Sequence, residues 1–355
     1  MTPNLAPATG VSPHDREPKA APLVFTTCPS SLGVSDGYFD RISQVARWSE
    51  AAGWAGMLIY TDNSLVDPWL VSQIVIQSTR SQCPLVAVQP VLMHPYCVAK
   101  MVSTLGFLHS RRVFLNMVAG GFKNDLASFN DMTAHDRRYE RLVEYTQIIR
   151  SLLEGGTVTF AGQFYQVKDL RLSPRLAPGL LPGILMSGSS EAGWAAARKT
   201  GAIVIQYPEA PGKSEPASPS ENGPHGIRIG IVTRPSEEDA WQVAMARFPG
   251  DRKGQLTRQM AQKVSDSVWH HRPSEIGEES SNSDTSRSEV YWLHPFENYQ
   301  TNCPYLVGSY ENVAAELARY MELGNRTFIL DIPVAEDEFE HTGRVFQIAS
   351  QRAAS

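Results

Sequence analysis

Eight short apolar runs, each opening into small or polar residues, recur along this chain from Ala21 onward, and most are followed by a stretch of helical periodicity. That alternation limits the fold more than any other feature. A buried parallel strand is apolar on both faces and needs a covering crossover before the next strand. The runs are PLVFTTC, AGMLIYTD, PLVAVQPVL, RVFLNMV, GILMSG, AIVIQY, IRIGIVT and TFILDI. After the first, a helix is expected over 37–52, where Phe39, Ile42, Val45, Ala46 and Trp48 make an inward stripe and Gly53 stops it. Further helices are expected over 67–79, from Pro95 to about His109, and over 136–154. Eight such units in 355 residues predict a (β/α)8 TIM barrel with insertions, in preference to an open eight-stranded sheet. The segment TVTFAGQFYQVKDLRL alternates about Gly162 and reads as a hairpin excursion from the barrel.

Residues 21–355 are therefore expected to form one domain. The segment 1–20 is Pro- and Ala-rich and is expected to be a disordered tail, with neither signal peptide nor anchor. Two stretches near 208–226 and 272–289, rich in Pro, Ser, Gly and Glu, read as mobile insertions after late strands, where they would serve as surface loops or as a lid. A net charge of −5 without a basic stripe argues against nucleic acid or anionic lipid as a partner. No run reaches the roughly 18 apolar residues of a membrane span, so a soluble, cytoplasmic protein is expected. Cys28, Cys83, Cys97 and Cys303 have neither disulfide-framework nor metal-ligand spacing, so no metal site is expected.

One pair of segments carries chemistry. The fourth run ends at Asn116 in NMVAGG, followed after a polar loop by HDRRYER from His135. The fifth repeats that grammar as GILMSGSSEAGWAAA: a strand, then Gly188, Ser189 and Ser190, then a helix. A helix amino terminus preceded by Gly-Ser-Ser presents unpaired N–H groups and the positive end of the helix dipole to an anion such as a phosphate. Ordinary helix capping by Ser189 and Ser190 is the structural alternative.

The order of DPWLV, NMVAGG, HDRRYER, GSSEAG, PSEEDAWQ and LVGSYENVAAELARYMELG resembles the bacterial luciferase-like flavin monooxygenases, nearest the alkanesulfonate and nitrilotriacetate branch, over roughly residues 22 to 350. The resemblance implies a barrel that takes reduced FMN (FMNH2) from a separate NAD(P)H:flavin reductase and uses O2 on a small organic molecule. The absence of a GxGxxG motif agrees with a chain that does not itself oxidise NAD(P)H. By position, Gly188, Ser189 and Ser190 would hold the FMN phosphate with help from Tyr139, His135 and Asn116 would lie near the ribityl chain or ring edge, Ala119 would lie against the flavin, and Asp62 would touch the ring. Relatives commonly form homodimers through the early barrel half, and 67–109 has apolar residues to spare for such a contact.

The sulfonate branch also carries groups that this chain lacks. Its seventh-strand Arg is kept as Arg228, but the next His position is Gly230, a Cys position is Leu65, a Tyr position is Ile332, and a second Arg falls near Tyr299. Desulfonation is therefore not expected. Arg228 and His94 are the candidate catalytic residues, with Tyr60, Gln89, Gln206 and Asp331 as polar neighbours and Phe25, Leu65, Met117 and Phe122 as walls. The implied reaction is hydroxylation or N-oxygenation, in a setting such as secondary metabolism. The alternatives are a deazaflavin-dependent oxidoreductase and a non-catalytic flavin-binding barrel.

Overall fold

A computed structural model describes residues 21–34, 36–188, 190–210, 224–264 and 290–354. Each strand expected from an apolar run is present: β1 (Leu23–Thr27), β2 (Gly56–Ile59), β3 (Cys83–Val88), β4 (Phe114–Met117), β7 (Ile184–Ser187), β8 (Ile203–Gln206), β9 (His225–Arg234) and β12 (Asn325–Leu330). All pair in parallel, in the order β1-β2-β3-β4-β7-β8-β9-β12, and the pairing of Val24 with Phe328 closes the ring. The expected helices are also present as α1 (Tyr38–Ala51), α2 (Pro68–Ser78), α3 (Pro95–His109), α5 (His135–Leu153) and α6 (Glu191–Thr200), with a short α4 (Lys123–Ser128) ahead of α5. The hairpin around Gly162 is the antiparallel pair β5 (Val158–Ala161) and β6 (Gln166–Leu170), separate from the barrel sheet.

Alternation along each strand sorts side chains into two cores. Phe25, Leu58, Leu85, Phe114, Leu185, Ile205 and Ile329 meet inside the barrel, where Phe25 and Phe114 contact edge to face at 5.1 Å. Their neighbours point outward: Leu115, Met117, Ile184 and Met186 pack under α3 and α5. Phe25 and Met117, expected as walls of a ligand site, instead belong to these cores.

The late barrel holds elements that the apolar pattern does not announce. After α7 (Glu237–Arg247) and α8 (Arg252–Val264) come β10 (Tyr291–Trp292), α9 (His294–Glu297) and β11 (Tyr305–Ser309), then α10 (Tyr310–Glu322) and, after β12, α11 (Asp337–Ala354). β9 has ten residues and two sets of partners. Its first half pairs with β8 and β12, and residues 230–234 pair with β11, which carries β10 antiparallel on its far edge. LVGS, which belongs to none of the eight apolar runs, is thus a strand.

The tail 1–20 and the insertion 272–289 lie outside the described residues, as does most of 208–226. The ends of the latter are tied to the barrel: Pro208 and Ala210 are buried, Tyr291 and Tyr320 donate to the carbonyls of Pro208 and Glu209, and His225 and Gly226 begin β9. No helix among the described residues is long and apolar enough to cross a membrane, and no cluster of His, Cys, Asp and Glu there would hold a metal ion.

Candidate active site

The inward-facing positions nearest the carboxyl ends of the strands carry Tyr60, Asn116, Ser187, Tyr207, Arg228 and Asp331, in place of the aliphatic and aromatic residues deeper in the barrel. A cavity of about 190 Å³ opens there, at the end where TIM-barrel enzymes build their active sites. Leu58, Ile205 and Ile329 form its apolar floor.

One wall gathers most of the residues singled out in the sequence: Asn116, Ala119, His135, Tyr139, Gly188 and Ser190 all line this cavity. Asn116 is buried, and its Oδ1 accepts the Ser187 hydroxyl at 2.9 Å. Tyr139 is buried between the two helix starts, its ring edge-on to His135 at 5.2 Å and its hydroxyl bonded with Ser190. Burial pushes its phenol above the ordinary value, with the Ser190 hydrogen bond pulling the other way, so Tyr139 stays protonated at neutral pH. His135 opens α5 and its Nδ1 lies 2.7 Å from the Asp136 carboxylate.

The two helix amino termini differ. Ser190 caps α6 by accepting the Gly193 N–H at 3.2 Å, whereas Ala134 ahead of α5 has no side chain with which to cap. Gly188 is required between them, since a Cβ there would come within 2.6 Å of the Tyr139 hydroxyl. Both halves of the capping alternative are thus visible: Ser190 is a cap and also faces the cavity. Ser189 lies outside the described residues. The residues present fit the phosphate end of a flavin mononucleotide. They offer a glycine that leaves space, hydroxyl groups, and two helix dipoles aimed at the same volume.

Arg228 on β9 also lines the cavity; its guanidinium lies 5.4 Å above the Tyr60 ring and hydrogen-bonds with the Tyr207 phenol. Burial works against its charge, but the facing Tyr207 and Tyr60 phenols, Cys303 and Asp331 outweigh that and keep it a cation. An ion pair with Asp331 is the natural alternative for a barrel Arg, and none forms among the described residues. Asp331 instead accepts the Tyr305 hydroxyl at 2.8 Å. Tyr207 is the residue that sequence reasoning missed. Its place at the end of the run AIVIQY, directly after β8, is the available signal; Gln206 before it also lines the cavity.

Two candidates are not brought into this lining. His94 is exposed and caps α3, its Nδ1 accepting the Tyr96 N–H at 3.2 Å. Asp62 accepts from the N–H and hydroxyl of Ser64 and lies close enough to Asp125 to raise that acid's pKa, behind burial as the larger cause. Leu65 and Phe122 are likewise absent from the lining.

Gly230 explains one departure in physical terms. A Cβ at this position would lie 2.2 Å from two carbons of the Tyr305 ring, which fills the volume a longer side chain would need. Tyr305 is fully buried and comes from β11, the strand that the apolar pattern did not reveal.

The profile of the luciferase-like monooxygenase family matches residues 23–327. Among curated proteins, the chain is 35% identical to the 4-(gamma-L-glutamylamino)butanoyl-[BtrI acyl-carrier protein] monooxygenase of Niallia circulans over 315 residues, covering 87% of this chain and 91% of that one. Among solved structures, it is similar to the EDTA monooxygenase of Chelativorans sp. BNC1, with a TM-score of 0.70 and 14% identity over 92% of this chain and 94% of that one. It is also similar to the oxygenating constituent of 3,6-diketocamphane monooxygenase from Pseudomonas putida, solved with FMN, with a TM-score of 0.64 and 16% identity over 94% and 98% of the two chains. With this match over most of its length and the barrel that such proteins share, the chain belongs to the luciferase-like family of flavin-dependent monooxygenases.

Proposed function

We propose that this chain is the oxygenase of a two-component system. In this reading it receives FMNH2 from a separate NAD(P)H:flavin reductase and, with O2, hydroxylates or N-oxygenates a small organic substrate other than an alkanesulfonate. The observation that carries the reading is the single cavity onto which Asn116, Ala119, His135, Tyr139, Gly188 and Ser190 converge. Bound there, the flavin supplies the oxygen-activating chemistry. The chain's own task is to hold and enclose it. Tyr139, Ser190 and the amino termini of α5 and α6 would bind the phosphate, and Asn116 and His135 would face the ribityl chain or ring edge. Leu58, Ile205 and Ile329 would keep water from the floor.

Apart from Arg228, no Lys or Arg lines the described cavity, so the phosphate would be held by dipoles and hydroxyl groups. Such a site suits a flavin that arrives and leaves as a co-substrate. Loss of the sulfonate-branch groups at Gly230 and Ile332 supports a different substrate: the first position is filled by Tyr305, and at the second the backbone carbonyl is taken by Arg247 at 2.6 Å. The curated relative acts on an acyl chain borne by a carrier protein. The substrate panel for this chain therefore includes carrier-borne as well as free molecules. A cytoplasmic setting, where NAD(P)H and a reductase are at hand, completes the reading.

Anaerobic titration tests the first half: FMNH2 is expected to bind with a Kd near micromolar, about −8 kcal/mol. Absence of binding refutes it. Turnover under labelled O2 with FMN, a flavin reductase and NADH tests the second half, with one labelled oxygen expected in the product. Product formed without O2 consumption would instead indicate the deazaflavin-type oxidoreductase. Flavin binding with no product from any member of the panel would indicate a non-catalytic barrel.

A further inference from the structure

Among the described residues, α8 is the most basic helix. It carries Arg252, Lys253, Arg258 and Lys263 and no acid, in a chain whose net charge is −5. Every other described helix with two or more Lys or Arg carries acids as well. From Arg252 to Met260 the helix meets the body of the protein along one seam, where only Gly254 and Arg258 are buried. A Cβ at 254 would collide with the Asn298 carbonyl oxygen, so a glycine is needed for this approach, and the Arg258 guanidinium lies 4.8 Å over the Phe296 ring. At about 100° per residue, the face turned away from the seam holds Arg252, Lys253, Leu256, Gln259 and Met260. Leu256 and Met260 are neighbours on that face, 52% and 67% exposed, with the exposed Arg252 and Lys253 beside them.

This helix stands at the carboxyl-end rim of the barrel. Arg247, at the end of α7, donates to the Ile332 carbonyl just past β12, and the Asp251 N–H donates to Asn298 Oδ1 at 3.0 Å. Tyr299, the next residue, lies close to Asp62 and Asp125, beyond the ends of β2 and β4; burial first, and then these charges, raise its phenol pKa. A cationic face around an exposed apolar pair matches a helix that is acidic around an apolar strip of its own. We propose that α8 docks the protein that brings the substrate: a carrier protein presenting an acidic helix, whose substrate-bearing arm reaches the cavity from the rim. This inference rests on the oxygenase reading above, in which carrier-borne molecules are among the substrates, and it names the surface that receives the carrier. A free small molecule has no use for such a face. Opposite charge steers the carrier to the rim, and Leu256 and Met260 supply the contact that excludes water.

The test uses the full chain and, as probe, the BtrI acyl-carrier protein that bears the curated relative's substrate, in its phosphopantetheinyl form and fluorescently labelled. Anisotropy is read at about 50 mM and about 300 mM salt, with and without FMN. The carrier is expected to bind the wild type, several-fold more weakly at the higher salt. The double substitution R252E and K253E is expected to lower its affinity at least about tenfold and to abolish the weakening by salt. L256D is expected to lower it about tenfold. FMN affinity and thermal melting are expected to stay at the wild-type values in both variants, which separates a lost surface from a lost fold. Should one variant fail to fold, the other decides. No carrier binding, binding that neither variant weakens, or binding insensitive to salt would each overturn the proposal. So would a flavin reductase whose binding needs these residues while that of the carrier does not. A change in the mass of the protein alone on R252E and K253E substitution would make α8 a contact between two copies of this chain and overturn it too. Carrier binding without FMN binding would refute the flavin reading and leave the docking surface standing; FMN binding without carrier binding would do the reverse.

Discussion

Tyr139 joins the parts of the candidate flavin site, touching His135 on its own helix and Ser190 at the start of α6, with Gly188 kept bare beneath its hydroxyl. Removing that hydroxyl in Y139F takes away one hydrogen bond in a desolvated place. The expected loss in FMNH2 affinity is about 1 kcal/mol, or roughly fivefold, read by anaerobic titration. G188A is expected to do more harm, since the added methyl meets the hydroxyl at 2.6 Å and must displace it; its FMNH2 affinity should fall below that of Y139F in the same titration. The contact between Gly230 and Tyr305 is tighter still and lies in a packed interior. G230A is expected to cost about 1–3 kcal/mol in urea unfolding as an overpacked substitution. In a Y305L background the same change should cost less than half as much, because the two sites share one volume. None of these contacts could be read from the sequence. The order of motifs singles out Asn116, His135 and Gly188, which line one cavity, while Tyr207 and Tyr305 act through partners on other strands.

Most elements were legible, and the reason is local. An apolar run ending in small or polar residues reports a buried parallel strand wherever it occurs, and α2 and α3 carry their own start signals, Asp67 capping ahead of Pro68 and His94 ahead of Pro95. β11 was not legible, because its partners are the second half of β9 and the two-residue β10, and its register depends on how the barrel closes. One loop also makes a testable mechanical joint. The loop between α4 and α5 is held by Asp131, which accepts from Arg141 at 2.6 Å and from Thr133, with both charged side chains mostly buried. Burial opposes the charge on Asp131, but these bonds prevail and hold its carboxyl below the ordinary value. D131N is expected to cost about 2 kcal/mol at pH 7, as the loss of hydrogen bonds to a charged group. The sign follows from linkage: the contribution is complete above the unfolded carboxyl pKa of about 3.9, and is lost as pH falls through the lower folded value. Denaturation series from pH 7 downward should therefore show the gap between wild type and D131N closing only in that acid range. A gap that stayed constant would assign the effect to packing.

On the scale of the whole molecule, the barrel leaves one apolar face exposed on its early helices. Leu70 on α2 and Phe107 and Leu108 on α3 are each at least 60% exposed, and Gln73 and His109 bond across the same pair of helices at 2.9 Å. We propose that this face forms a homodimer, as the composition of 67–109 suggested. Light scattering is expected to give about twice the 39.2 kDa chain mass, and the pair of substitutions L70K and F107K to return the mass to that of one chain. A monomeric wild type would exclude the contact. At the other end of the barrel, the filled space at Gly230 bears on descent. A lineage that has seated an aromatic ring from a neighbouring strand in that volume cannot regain a long side chain at 230 by one step, because the ring must leave first and take with it the hydroxyl bonded to Asp331. The filled volume thus acts as a ratchet: the order of substitutions matters, and the way back passes through a less stable protein.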